Sequence, residues 1–283
     1  MQKMLRKMKR KRNQKFAAVL AACCGLTLTF GGCEKVENTE VPKQEALPKI
    51  VVGSDDYPPF NYVDPNGKPT GIDVELAKEA FARMGYEAEF VQINWEDKKN
   101  LVENGDIDCI WGSFSMDGRE EEYNWAGPYM LSYQVVAVNR DSDIETLGDL
   151  EGKIVAVQST TKPEEIFTNH MDSRIPELRE VFSLQNRELI YAFLSKGYAD
   201  AVAAHETAIL QYMKDYGLEY RILEESLLTV GLGVAFSRED ERGLEKELTR
   251  TFREMKKDGT TARILGEYLE NPERYLEVDV NED

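Results

Sequence analysis

Few side chains of this 283-residue chain stand at spacings that could make or break bonds. Its four cysteines are Cys23, Cys24, Cys33 and Cys109, and its two histidines, His170 and His205, lie far apart. No cluster has metal-ligand spacing. The sequence holds no phosphate loop, no nucleophile elbow and no Cys–His pair with supporting context. What it does offer is a seat for an anion. Ser159-Thr160-Thr161 leads into Pro163-Glu164-Glu165, a proline and acids suited to a helix's first turn. Free backbone N–H groups at such a start attract negative charge, although a plain N-cap accounts for the same residues. The chemistry in view is non-covalent binding of a small anion, with no cofactor and no metal expected.

The elements that must hold these residues alternate. Ile50–Ser54 is a short β-branched run. Ile72, Leu76 and Ala80, with Val74, Ala77, Phe81 and Met84, form an apolar stripe at helical spacing that Gly85 is placed to end. Strand signals follow at Ala88–Ile93, Ile107–Phe114, Gln134–Asn139, Lys153–Gln158, Glu180–Leu184, Ala199–Ala204 and Thr229–Phe236. Helix signals lie at Glu96–Asn104, Pro163–Met171, Arg187–Lys196 and Thr207–Asp215, with a long helical region over Arg242–Leu269. Such alternation predicts an α/β protein with parallel sheets covered on both faces. One phrase occurs twice. Leu101 to Ile110 and Phe193 to Val202 each give helix, glycine cap (Gly105, Gly197) and a strand entered through aspartate (Asp108, Asp200). This predicts two similar lobes with a cleft at the strand ends, where open α/β sheets bind ligands.

Composition bounds the partners. With 42% hydrophobic and 31% charged residues the chain is an ordinary globular mix. Residues 1–15 carry eight basic side chains and no acid. Without residues 1–32, 27 of the 35 Lys and Arg remain against 52 Asp and Glu, a net charge of −25. A body so acidic is repelled by phosphate backbones, so no nucleic-acid partner is expected. The basic head is followed by an apolar stretch, Phe16 to Phe30, then Gly31-Gly32-Cys33. That is the pattern of a secretory signal, too short for a permanent span. Small residues before a cysteine resemble the bacterial lipobox, which implies cleavage at 1–32 and a lipid on Cys33; Cys23, after Leu20-Ala21-Ala22, is the alternative. Cys109 then stands alone, so no internal disulfide is expected. Residues 33–47 read as the lipidated cysteine and a flexible tether, and Val278–Asp283 as a frayed tail.

The body resembles the extracellular solute-binding proteins of polar amino-acid ABC importers. The resemblance rests on an ordered set of segments. They are Tyr57-Pro-Pro-Phe60, Pro69-Thr-Gly71-Ile-Asp73-Val-Glu-Leu76-Ala77, Trp95, Ser113-Phe-Ser115 to Arg119, Gly127-Pro128-Tyr129, Leu147 to Thr161, Gly197 to Val202 and Lys257-Asp258-Gly259-Thr260. It implies a two-lobe, Venus-flytrap fold with a two-segment hinge. Lobe 1 would be 48–137 plus 231–283 and lobe 2 would be 138–230. It implies a monomer that binds a small molecule, an amino acid or close analogue. That monomer would be lipid-anchored at the extracellular or periplasmic face and would serve a membrane-embedded ABC permease. On this pattern Ser113, Ser115 and Arg119 hold the ligand carboxylate from lobe 1, and Thr160 and Thr161 meet it from lobe 2. A bidentate guanidinium with neutral donors is the best carboxylate receptor; a surface arginine paired with Glu120, Glu121 or Glu122 is the competing reading. Tyr57 and Trp95 wall the ligand side chain. The pattern breaks at the ammonium end, where His205, followed by Glu206, stands in place of the family's usual aspartate. Glu206 could supply the charge, His205 could accept a hydrogen bond with Asp55 or Asp56 nearby, or the ligand is no ordinary α-amino acid. The family also implies a rival, a cyclohexadienyl dehydratase-like enzyme with Glu206 or His205 as acid.

Overall fold

The computed structural model describes residues 46–277. The expected signal, Cys33, most of the tether and the tail from Val278 lie outside the described residues. In chain order come β1 (Lys49–Ser54), β2 (Tyr62–Val63), β3 (Pro69–Thr70), α1 (Ile72–Arg83), β4 (Glu87–Gln92), α2 (Lys98–Glu103), β5 (Cys109–Ser115) and β6 (Asn124–Asn139). Then follow β7 (Ile154–Gln158), α3 (Lys162–Thr168), β8 (Glu180–Leu184), α4 (Arg187–Ser195), β9 (Ala201–His205), α5 (Glu206–Tyr216), β10 (Tyr220–Ile222), β11 (Leu228–Phe236), α6 (Leu244–Lys257) and α7 (Thr260–Gly266). The stripe of α1 is buried as its spacing requires. That helix starts at Gly71, whose φ of 121° and backbone approach leave no room for a side chain: a Cβ there would lie 2.2 Å from the Phe60 carbonyl oxygen. The helical region expected over 242–269 is two helices, because Gly259 at φ 81° breaks it.

The expectation of parallel sheets needs correcting. One sheet runs β4-β1-β5-β11-β6-β9-β7-β8, with β10 added on β6. It is parallel at its two ends, β4-β1-β5 and β9-β7-β8, but β11 and β6 run antiparallel to each other and to their outer neighbours. The cause is β6. Only its last six residues, Gln134–Asn139, were legible as a strand, because Asn124, Pro128 and Ser132 interrupt the apolar pattern before them. Over 16 residues it passes from one core to another.

Ala126, Tyr129 and Met130 of β6 pack with Ile50, Phe81, Trp111 and Phe252. Further on, alternate residues divide between two other cores, as strand geometry demands. Val136 and Val138 pack with Val155 and Phe167, and Val135 and Ala137 with Ile190 and Leu194. β11 returns beside it, from Leu228 opposite Gln134 to Phe236 opposite Asn124. The two lobes are thus joined by a hydrogen-bonded pair of strands. Each side chain of Phe or Leu size buried in these cores stabilises its lobe by roughly 1.5–3 kcal/mol.

Candidate functional site

The first lobe's wall begins where β5 ends. Ser113 has φ 45°, a conformation that needs holding. The holder is Asp73 in the first turn of α1, whose carboxylate accepts from the Ser113 N–H (2.7 Å), Asn61 Nδ2 (3.0 Å) and the Tyr129 hydroxyl (2.8 Å). Burial pushes the Asp73 carboxyl up to about 6, with the three donors opposing that rise. Ser113 Oγ is left buried without a partner, and the Ser115 hydroxyl donates to Asp117 (3.3 Å). Arg119 follows on a loop fixed by its own carbonyl, which accepts from Trp125 Nε1 (2.9 Å). Its guanidinium lies over Phe114, 5.5 Å from the ring centre, and reaches Glu165 Oε2 of the second lobe at 3.2 Å. Glu120, Glu121 and Glu122 are not its partners here.

Across the cleft, β7 gives way to Ser159-Thr160-Thr161 and α3. Thr160 sits at φ 57° and its hydroxyl accepts from Lys98 Nζ of the first lobe at 2.8 Å. Thr161 is the N-cap residue, but its hydroxyl donates to the Gln158 carbonyl (2.6 Å) instead of capping the helix. Further bonds span the cleft, from Ser159 Oγ to Glu96 (2.7 Å), Gln185 to Glu96, and Gln158 Nε2 to Asp55 (2.9 Å).

Between these walls lies a narrow pocket lined by Trp95, Ser113, Ser115, Arg119, Thr160, Thr161 and His205, and also by Gln134, Gln158, Lys162 and Arg187. The structure thus gathers seven of the nine expected residues around one space. Tyr57 does not line it. It walls a larger adjoining space of about 430 Å³, shared through Trp95, Gln158 and Arg187, and its hydroxyl accepts from the His205 N–H (3.3 Å). Glu206 is the misplaced one. As the first residue of α5 it points away from the cleft, its carboxylate 2.8 Å from Arg274 and 3.3 Å from the Tyr275 hydroxyl. The His205 ring does face the cavity, with Ser132 Oγ 2.7 Å from Nδ1 and the Gln134 amide 3.1 Å from Nε2. Burial, then the nearby Arg187 charge, pushes its pKa down to about 3, so the ring is neutral.

Two cations escaped the sequence reading. Lys98 is buried beneath Trp95, and burial and Arg119 together bring its pKa down to about 7. Arg187 is buried on the Tyr57 face, its guanidinium carbon 3.2 Å from the ring centre and its Nε 2.9 Å from Asp55. One signal was available for it. Arg187 follows the N-cap Asn186, at a helix start whose dipole disfavours a cation, so some other charge had to hold it there. Among the described residues no cluster of His, Cys, Asp and Glu could hold a metal, and no helix is long and apolar enough to cross a membrane.

Comparison with known proteins agrees with this architecture. Residues 50–271 match the model of the bacterial extracellular solute-binding proteins, family 3. The histidine-binding periplasmic protein of Salmonella typhimurium is 30% identical over 236 residues, 80% of this chain and 89% of that one. Among solved structures, an ancestral arginine-binding protein bound to arginine is 26% identical with a TM-score of 0.70, covering 78% of this chain and 98% of that one. The ancestral amino acid-binding protein AncCDT-1, a precursor of cyclohexadienyl dehydratase, is 26% identical with a TM-score of 0.68, covering 78% and 95%. With the paired lobes and the arginine-bearing cleft between them, these matches place the chain in family 3 of the bacterial extracellular solute-binding proteins, those of amino-acid ABC transporters.

Proposed function

We propose that the protein captures an amino acid or a close analogue by closing its lobes on the ligand carboxylate, and delivers it to an ABC permease. The observation that carries this reading is the meeting of Arg119 and Ser113 with Thr160 and Thr161 around one cavity whose two sides belong to different lobes. A carboxylate gripped from both sides favours the closed state by its differential contacts. Lys98–Thr160 and Arg119–Glu165 supply closed-state bonds of the same kind. The domain division expected from the sequence, the lipid on Cys33 and the position at the outer face of a membrane are part of the proposal. So is action as a monomer without cofactor.

The likeness to an amino acid-binding precursor of cyclohexadienyl dehydratase keeps an enzymatic reading in view. Against it stands the state of the two acids it would use. Glu206 is tied to Arg274 outside the cavity, and His205 is neutral at pH 7, without the imidazolium proton that a general acid gives. The test is a panel of amino acids added to the purified protein, with melting temperature as the readout. A ligand raises the Tm and Arg119→Ala abolishes the rise. A flat response to the whole panel refutes the reading, and turnover of prephenate or arogenate promotes the enzyme.

A further inference from the structure

We infer that Asp55 is a positioning residue for ligand capture, which clasps Arg187 and Gln158 of the second lobe and so holds the lobes shut without lining the ligand pocket itself. This rests on the reading of the cleft given above and deepens it. Asp55 follows β1 in the first lobe and stands outside the narrow pocket, whereas Arg187, at the start of α4, and Gln158, at the end of β7, both line it. One oxygen, Asp55 Oδ2, accepts from Arg187 Nε (2.9 Å) and from Gln158 Nε2 (2.9 Å). Both bonds cross from lobe to lobe. The guanidinium is also stacked on Tyr57 of the first lobe, its carbon 3.2 Å from the ring centre. Two side chains that wall the pocket are thus carried by the second lobe and placed by the first.

The clasp acts on the closed state. With the lobes together the side chains of Arg187 and Asp55 are only 8% and 11% exposed, and parting the lobes returns each to water. A buried ion pair contributes little on balance, but removing one partner strands the other charge. That stranding arises only on closure, so loss of Asp55 penalises closing and leaves the open form unchanged. The surrounding charges make the pair necessary. Among the described residues lining the larger space Arg187 is the one cation, while Asp55 and Asp56 of the first lobe share that space with Glu188 and Asp215 of the second. Burial, then Glu188 and Asp55, raises the Asp56 carboxyl above its ordinary value. Without Arg187, closing the lobes brings like charges together.

To test this, the purified protein is screened by melting temperature against the common L-amino acids, and the one that raises it most is taken into stopped-flow binding. Asp55→Asn should speed dissociation at least about tenfold and leave the association rate within about threefold. A mere folding defect lowers the active fraction and moves neither rate. Arg187→Gln should act likewise, and the double variant should dissociate no more than about twofold faster than Arg187→Gln alone, because the two residues work as one unit. Trp95, buried where the lobes meet, reports opening with no ligand present. Its emission should move to the red, and its quenching by acrylamide should rise, in Asp55→Asn. An unchanged dissociation rate, or effects of the two substitutions that multiply independently, overturns the clasp. If no amino acid moves the wild-type Tm, the reading of the cleft falls, and unchanged ligand-free quenching in Asp55→Asn then refutes the clasp as well.

Discussion

Arg119 offers the sharpest measurement, because its proposed binding role can be separated from any part in stability. On the proposed function, replacing it with alanine removes the guanidinium by which the first lobe would hold a carboxylate. Two charge-assisted hydrogen bonds are lost at roughly 1.5–3 kcal/mol each. With partial rescue by Ser113 and Thr161, a net loss of about 3–4 kcal/mol is expected, a rise in Kd of roughly two to three decades. The fold should barely register the change. Glu165 keeps Lys162 at 2.7 Å, and the loop is held by Trp125 Nε1 on the Arg119 carbonyl, which the substitution leaves in place. Arg119→Lys keeps the charge without the fork and should fall between, about tenfold weaker than wild type. Titration calorimetry with the best ligand, alongside ligand-free melting, reads both quantities. A Kd within threefold of wild type in a normally folded Arg119→Ala protein would refute the carboxylate assignment.

Other perturbations follow from the same geometry. Lys98→Met removes the bond to Thr160, so affinity should drop about fivefold for a loss near 1 kcal/mol. Thermal stability should hold or rise, because burial already disfavours that charge; a fall in Tm with unchanged Kd would contradict the role given to Lys98. His205 is neutral in the fold and protonates near 6.5 when unfolded, so the unfolded state binds the extra proton. Stability should therefore fall as pH drops from about 6.5 towards 3, by on the order of 5 kcal/mol, and His205→Asn should flatten that acid limb in denaturant titrations. Gly71→Ala drives a Cβ into the Phe60 carbonyl and should cost about 3 kcal/mol, a Tm lower by roughly 6–12 °C in a scan. Cys33→Ala should shift the protein from membrane to soluble fractions; persistent anchoring would point to Cys23.

Much of the fold was legible because its signals are local. Glycines at positive φ end α1 and α2 (Gly85, Gly105), and the α1 stripe is buried as its spacing foretold. The first half of β6 was not legible, since a strand that crosses between lobes faces different surroundings along its length and shows no single alternation. The cleft divided in the same way. Ser113 near the end of β5, Thr161 at the start of α3 and His205 at the end of β9 line the cavity as expected, and so does Arg119 on the loop after β5. Arg187 and Lys98 were missed because their partners are remote in sequence: Asp55 lies 132 residues from Arg187 and Thr160 lies 62 from Lys98. Glu206 was misjudged by one step along the chain. At the junction of β9 and α5 successive side chains leave in different directions, so His205 looks into the cleft and Glu206 out to Arg274.

The paired crossing strands bear on how the protein opens. Backbone amides along β6 and β11 are bonded to each other from Gln134 to Asn124, so parting of the lobes has to be taken up by twist in a two-stranded ribbon. The register shift between Leu232 and Val234, beside Gly233, is a place where such torsion can collect. Isotope exchange at those amides should then stay slow whether or not ligand is added. The backbone around Ser159 and Thr160, whose side chains reach Glu96 and Lys98 on the far rim, should exchange more slowly on ligand addition. That contrast would distinguish a flexing ribbon from a melted joint.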